Sequence, residues 1–165
     1  EQAVCHFLSG YTAKGAGTEV GVKEPQAVFS ACFGAPFMAL RPAVYADLLM
    51  KKVRQHNARC WLVNTGWTGK PYGEGNRIRI AHSRAIVKAI LGGALDQAEF
   101  EIDPVFGLQI PKQVEGVPRE ILNPRDASGN TSAYDERARK LAGDFRENFK
   151  PFENDVPEEV RKAAL

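Results

Sequence analysis

Lys70 sits in Gly66-Trp67-Thr68-Gly69-Lys70-Pro71, a glycine-flanked lysine of the kind that cradles phosphate. A P-loop needs a glycine five positions before the Gly of its Gly-Lys pair, and Ser or Thr directly after the lysine. Here Asn64 stands at the first glycine's place and Pro71 follows the lysine. The hydroxyl that would hold Mg²⁺ is missing, and proline removes a backbone N–H from the cradle. The segment reads as a glycine-rich loop rather than an autonomous P-loop. Just beyond it, Arg77 and Arg79 alternate with Ile78 and Ile80. Alternation alone fits a solvated strand edge. It also fits a cationic wall against a phosphate or a base, because a guanidinium is a planar fork that stacks and hydrogen-bonds together.

Ser83 can cap a helix, and a helix N-terminus also offers spare N–H groups to an anion. His82 beside it reads as a surface histidine with no acidic partner identifiable from spacing. Lys14 lies in the glycine-rich stretch Ser9 to Gly21, SGYTAKGAGTEVG. Either it is a solvated loop charge or it rides on a lid that closes over phosphates and excludes water. His6, among apolar neighbours, reads as a core histidine, and Glu19 and Glu24 form no metal-ligand spacing with it. Trp67 can stack on a base, whereas Trp61 in Cys60-Trp61-Leu62-Val63 is expected in the core. No Ser/His/Asp order and no reactive Cys/His pair stands out.

The elements that position these residues follow from period and punctuation. Val28 to Phe33 predicts a short strand. Pro42 opens a helix whose apolar face carries Tyr45, Leu48, Leu49 and Val53, fading near Asn57. Cys60 to Val63 predicts a buried strand, Gly66 to Asn76 a loop, and Arg77 to Ile80 a strand with Ile78 and Ile80 packed inward. Ser83 then caps a helix that Gly92 and Gly93 stop. Ile102 to Asn130, with several prolines, is expected to wrap the surface without helix. Ser132 and Asp135 suggest a capping box ahead of the stripe Tyr134, Ala138, Leu141, Phe145 and Phe149. Asp155, Pro157 and Glu158 open a last helix. The expected class is α/β, in one domain or part of one.

The 165 residues, with 44% hydrophobic and 25% charged side chains, suit an ordered globular chain. Twenty-two basic and twenty acidic residues give a net charge of +2, which demands neither nucleic acid nor an anionic membrane. Cys5, Cys32 and Cys60 are too few and too dispersed for a disulfide framework and read as buried thiols in a reducing compartment. The opening residues do not read as a signal peptide, and the absence of an initiator Met suggests a fragment or a processed chain.

Four strings together carry a resemblance: HFLSGYTAKGAGTE (His6 to Glu19), PQAVFSACFGAPF (Pro25 to Phe37), WLVNTGWTGK (Trp61 to Lys70) and RIRIAHS (Arg77 to Ser83). In this order they resemble ATP-dependent phosphoenolpyruvate carboxykinases, across nearly the whole chain. Members of that family convert oxaloacetate and ATP to phosphoenolpyruvate, ADP and CO₂ in gluconeogenesis, with divalent metal ions. The resemblance implies a mixed α/β C-terminal lobe over residues 1–165, with the nucleotide cleft of a two-lobed enzyme at its edge and an active-site lid at 9–19. It implies that Arg77 and Ile78 contact ATP near its adenine and ribose. Ser83 would stand where the family often has Thr, keeping the hydroxyl and losing a methyl. The family's P-loop, its metal-binding residues for Mg²⁺ and Mn²⁺ and its oxaloacetate-binding arginines are expected in an N-terminal portion upstream of this chain. The chain alone is then expected to be inactive, its partners being that N-terminal portion, ATP and oxaloacetate, with a cytoplasmic location and neither membrane nor nucleic acid. A noncatalytic nucleotide- or RNA-binding module is the alternative that the glycine-rich loop beside two arginines would also suit, and a purely structural role is the third.

Overall fold

The structure, a computed structural model, describes residues 1–14 and 23–164. Part of the expected lid, from Gly15 to Glu19, lies outside the described residues. In chain order the elements are α1 (Gln2–Ser9), β1 (Tyr11–Lys14), β2 (Gln26–Phe29), α2 (Pro42–Gln55), α3 (Ile80–Leu91), β3 (Phe100–Ile102), β4 (Gln109–Pro111), α4 (Arg119–Leu122), α5 (Pro124–Ala127), α6 (Thr131–Phe149) and α7 (Glu158–Lys162). Helix and strand are thus mixed, and the described strands form two separate antiparallel pairs, β1 with β2 and β3 with β4. The chain divides into two compact units, Glu1–Trp61 with Gly143–Leu165, and Leu62–Ala142.

In the first unit α1 buries Val4 and Leu8, one helical turn apart, against Cys32, Ala46, Met50, Phe149, Val156 and Val160. Leu8 and Val160 are wholly buried, each contributing about 1.5–3 kcal/mol by removal of apolar surface from water. Gly10 ends α1 in the left-handed region (φ +58°), its N–H donating to the His6 carbonyl, and hands the chain to β1. His6 rests between Phe33 and Phe145, and burial lowers its pKa. The Pro42 helix forms where the sequence puts it, and Asn57 (φ +47°) follows its end. Ala46 and Met50 are its buried pair, whereas Leu48 is half exposed.

Three strand expectations need correction. β2 stops at Phe29 because Cys32 and Phe33 take φ of +55° and +60°, and the Phe33 N–H folds back to the Ser30 carbonyl. Cys60 to Val63 forms no strand. A strand exists only where its N–H and C=O groups meet a partner, and no described strand pairs with this one; Cys60 and Leu62 are exposed, so Cys60 is not a buried thiol. At Arg77 to Ile80 only Arg77 pairs, in an isolated bridge with Trp67. Ile78 is buried as expected, but Ile80 opens α3 and is 71% exposed.

Cap positions shift for similar local reasons. Arg79 precedes α3, its carbonyl accepting from the His82 and Ser83 N–H groups, so Ser83 lies inside the helix rather than capping it. Gly92 and Gly93 do end α3, Gly93 at φ +72°. Asn130, not Ser132, caps α6 by accepting from the Ala133 N–H at 3.1 Å. Asp155 pairs with Arg41 ahead of α7 instead of capping it.

Residues 102–130 are more ordered than the prolines suggested. Asp103 is buried and its carboxylate accepts from the Val105 and Phe106 N–H groups at 2.9 and 2.6 Å, turning β3 back towards β4. Pro118 then precedes α4, and Pro124 starts α5 at a position where its missing N–H costs nothing.

Candidate functional site

The loop from Gly66 to Asn76 is closed on itself by its own polar groups. The Asn64 side chain accepts from the Gly66 N–H at 2.8 Å and donates to the Trp67 carbonyl at 3.2 Å. Across the base of the loop, the Thr68 N–H and hydroxyl both donate to the Asn76 carbonyl, at 2.9 and 3.2 Å. The Ile78 N–H donates to the Gly66 carbonyl at 2.8 Å. The loop therefore delivers Arg77 from a fixed backbone, with Ile78 anchored in the core behind it.

Gly69 has φ +53°, and a Cβ added there would meet the Pro124 carbonyl oxygen, the Ser128 nitrogen at 2.7 Å and the Ala127 carbonyl carbon at 2.8 Å. The glycine of the Gly-Lys pair is thus explained by backbone contact with α5. Lys70 itself is exposed, and its N–H donates to the Thr68 carbonyl at 2.6 Å.

A cavity of about 530 Å³ opens at this place, within the span of common small-molecule sites. The loop and the turn into α3 contribute Thr68, Asn76, Arg77, Arg79 and His82 to it; α4 and α5 contribute Glu120, Ile121 and Ala127. The Arg77 guanidinium lies over the Trp67 ring, 5.6 Å from its centroid, and Tyr72 meets the same ring edge-on at 5.2 Å. Stacking on an indole uses the face of a guanidinium and leaves its N–H edge for an anion or a polar ring. Among the described residues neither Arg77 nor Arg79 forms an ion pair. His82 is half-buried rather than a free surface group, and its Nδ1 has no hydrogen-bond partner among the described residues. Two cations facing one carboxylate, Glu120, give the cavity a positive balance suited to an anionic ligand with hydrogen-bond donors of its own.

The structure brings Arg77, Arg79 and His82 together at one cavity, which neither Ile78 nor Ser83 lines. Ile78 is 6% exposed, so it can offer a ligand only backbone groups. Ser83 lines a different, more open cavity of about 580 Å³ with Arg84, Val87, Lys88, Leu91 and Gly92 on α3. Lys14 ends β1 in the other compact unit. Glu120 and Ile121 were not singled out, and no local spacing marks them; α4 carries them to the cavity. No group of three His, Cys, Asp or Glu residues that could hold a metal ion occurs among the described residues, and no described helix is long and apolar enough to cross a membrane.

The far wall is held from behind. Arg125 of α5 donates from Nε and Nη2 to the two carboxylate oxygens of Asp135 on α6, at 2.8 and 3.0 Å. The hydrogen bonds from Arg125 hold the Asp135 carboxyl below its ordinary pKa. Asn123 caps α5 by accepting from the Arg125 N–H at 3.0 Å and donates to Glu101 of β3 at 2.6 Å.

The phosphoenolpyruvate carboxykinase family model matches residues 1–120. The phosphoenolpyruvate carboxykinase (ATP) of Geotalea uraniireducens is 58% identical over 160 residues, which are 97% of this chain and 30% of that protein. Its counterpart in Pelobacter propionicus is 56% identical over 163 residues, 99% of this chain and 31% of the relative. That of Thermus thermophilus is 53% identical over 163 residues, again 99% and 31%. The chain spans about 30% of the length of these curated relatives.

Proposed function

The chain belongs to the ATP-dependent phosphoenolpyruvate carboxykinase family, and from that premise we propose that it is the C-terminal lobe of such an enzyme and forms one side of its nucleotide cleft. The complete enzyme would convert oxaloacetate and ATP to phosphoenolpyruvate, ADP and CO₂ in gluconeogenesis. Loss of CO₂ leaves the electron pair of the broken C–C bond as an enolate, whose oxygen attacks the γ-phosphate of ATP. This lobe's share is binding and orientation, which account for much of the catalysis in phosphoryl transfer. Mg²⁺ or Mn²⁺ would be held by other parts of the enzyme.

One observation carries the proposal: the Arg77 guanidinium, held over the Trp67 ring, borders a cavity with Arg79 and makes no ion pair among the described residues. It would pair with the ATP moiety near the adenine and ribose. Ile78 would contribute through its backbone and Ser83 through its hydroxyl on the neighbouring face of α3. Residues 9–19, Lys14 among them, would form the lid. A cytoplasmic location goes with that metabolic role.

Arg77→Ala in the complete enzyme tests this. Removing a charge-assisted contact worth about 1.5–3 kcal/mol raises the Kd for ATP about 10- to 150-fold. Oxaloacetate binding, titrated directly in the same variant, should change by less than about twofold. Equal loss for both ligands refutes the assignment.

A further inference from the structure

We infer that Arg125 is a positioning residue for the nucleotide cavity, acting through its two-point bond to Asp135 without lining the cavity itself. The inference rests on the reading of that cavity as the ATP site. α5 is a single helical turn of four residues. One turn alone is not a stable structure, because nucleation fixes several dihedrals for a single hydrogen bond. Its conformation must be imposed from outside.

Three restraints impose it. The Asn123 side chain caps its start, the Ser128 hydroxyl donates to the Arg125 carbonyl at 2.8 Å, and the guanidinium fork grips Asp135. Only the last ties α5 to the long helix α6, and a fork on a carboxylate fixes orientation as well as distance. The pair is part-buried, with 38% of the Arg125 side chain and 19% of that of Asp135 exposed, so its hold on α5 comes from the two-point geometry.

What α5 then holds is the far side of the cavity and the near loop together. Ala127 lines the cavity, and the α5 backbone from Pro124 to Ser128 lies against Gly69. Through Gly69 it bears on the loop that presents Trp67 and Arg77. α4, which supplies Glu120 and Ile121, is linked to α5 by Arg119 and Asp126 at 3.6 Å. Releasing Arg125 therefore loosens both sides that the ligand must touch.

The test is a double-mutant cycle on ATP affinity in the complete enzyme. Arg125→Lys keeps the charge and loses the fork, and Asp135→Asn keeps the shape and loses the charge; the second stands in if the first does not fold. Either change raises the Kd for ATP about tenfold, as a sub-ångström misplacement can, with the oxaloacetate KM within about twofold. In an Arg77→Ala background the same change costs only about threefold, because one of the contacts it positions is already gone. A full tenfold loss in both backgrounds, parallel loss of ATP and oxaloacetate affinity, or no loss at all overturns the inference while leaving Arg77 in place. If Arg77→Ala by itself leaves ATP binding unchanged, the cavity is not the nucleotide site and both readings fall.

Discussion

Replacing Gly69 by Ala would separate a packing glycine from a phosphate-binding one. The new methyl would sit 2.7 Å from the Ser128 nitrogen and 2.8 Å from the Ala127 carbonyl carbon, with the Pro124 carbonyl oxygen also in the way. All three atoms belong to backbone, so no side chain can swing aside. Ordinary contact begins near 3.4 Å, so α5 must retreat by at least about 0.7 Å or the loop must give by as much. Holding an alanine at φ +53° adds about 1–2 kcal/mol, and overpacking about 1–3 kcal/mol. The local cost is then about 2–5 kcal/mol. Hydrogen exchange reads it directly: the Ser128 amide, bonded to the Arg125 carbonyl, should exchange at least about 30-fold faster in the complete enzyme. ATP affinity should fall about tenfold, since α5 lines the cavity. Gly73 is the control. It shares the loop, at φ +86°, but an added Cβ meets nothing within 4 Å, so Gly73→Ala has only the conformational cost and leaves ATP binding unchanged. Equal effects at the two glycines, or loss of ATP affinity at Gly69 with unaltered exchange at Ser128, refute the packing account.

Two further outcomes concern the other compact unit. Leu8→Ala removes a wholly buried side chain from the α1 core and should lower unfolding stability by about 3–5 kcal/mol in urea titration; a loss under about 1 kcal/mol would mean the site collapses freely. His6 has its pKa lowered from 6.5 by burial, so below pH 6.5 the unfolded chain binds a proton that the native chain does not. Stability should therefore fall as pH drops from 6.5 towards the native pKa and level off beneath it, a slope that His6→Gln abolishes and that persists if the assignment is wrong.

Elements defined by local period and punctuation were legible in the sequence. Pro42, the double glycine at 92 and 93, and the stripe from Tyr134 to Phe149 each act on their own neighbours, and α2, α3 and α6 lie where those residues put them. Strands were not legible in the same way. Cys60 to Val63 has the side chains of a buried strand, but pairing requires a second strand that no local pattern supplies. Arg77 to Ile80 alternates perfectly, yet α3 claims Ile80 because the Arg79 carbonyl starts the helical bonds. The caps failed for a related reason. Asp135 looks like a capping residue by spacing and is taken instead by Arg125, ten positions back and on another helix.

The same distinction governs the site. Arg77 and Arg79 were visible as a pair because consecutive alternate residues need only a short extended backbone to share a side. Glu120 and Ile121 were invisible because they reach the cavity through tertiary contact, more than forty residues away in sequence. The Gly-Lys pair shows why motif chemistry has to be weighed against packing. Glycine is permitted wherever something approaches its Cα closely, and a phosphate and a carbonyl oxygen are equally good reasons. At Gly69 the approaching group is the α5 backbone. The lysine beside it gains nothing from that contact, whereas Arg77, seven residues past Lys70, is delivered to the cavity by the loop that the contact holds. The contact at Gly69 sets the shape of the loop, and the charge that borders the cavity comes from the residue after it.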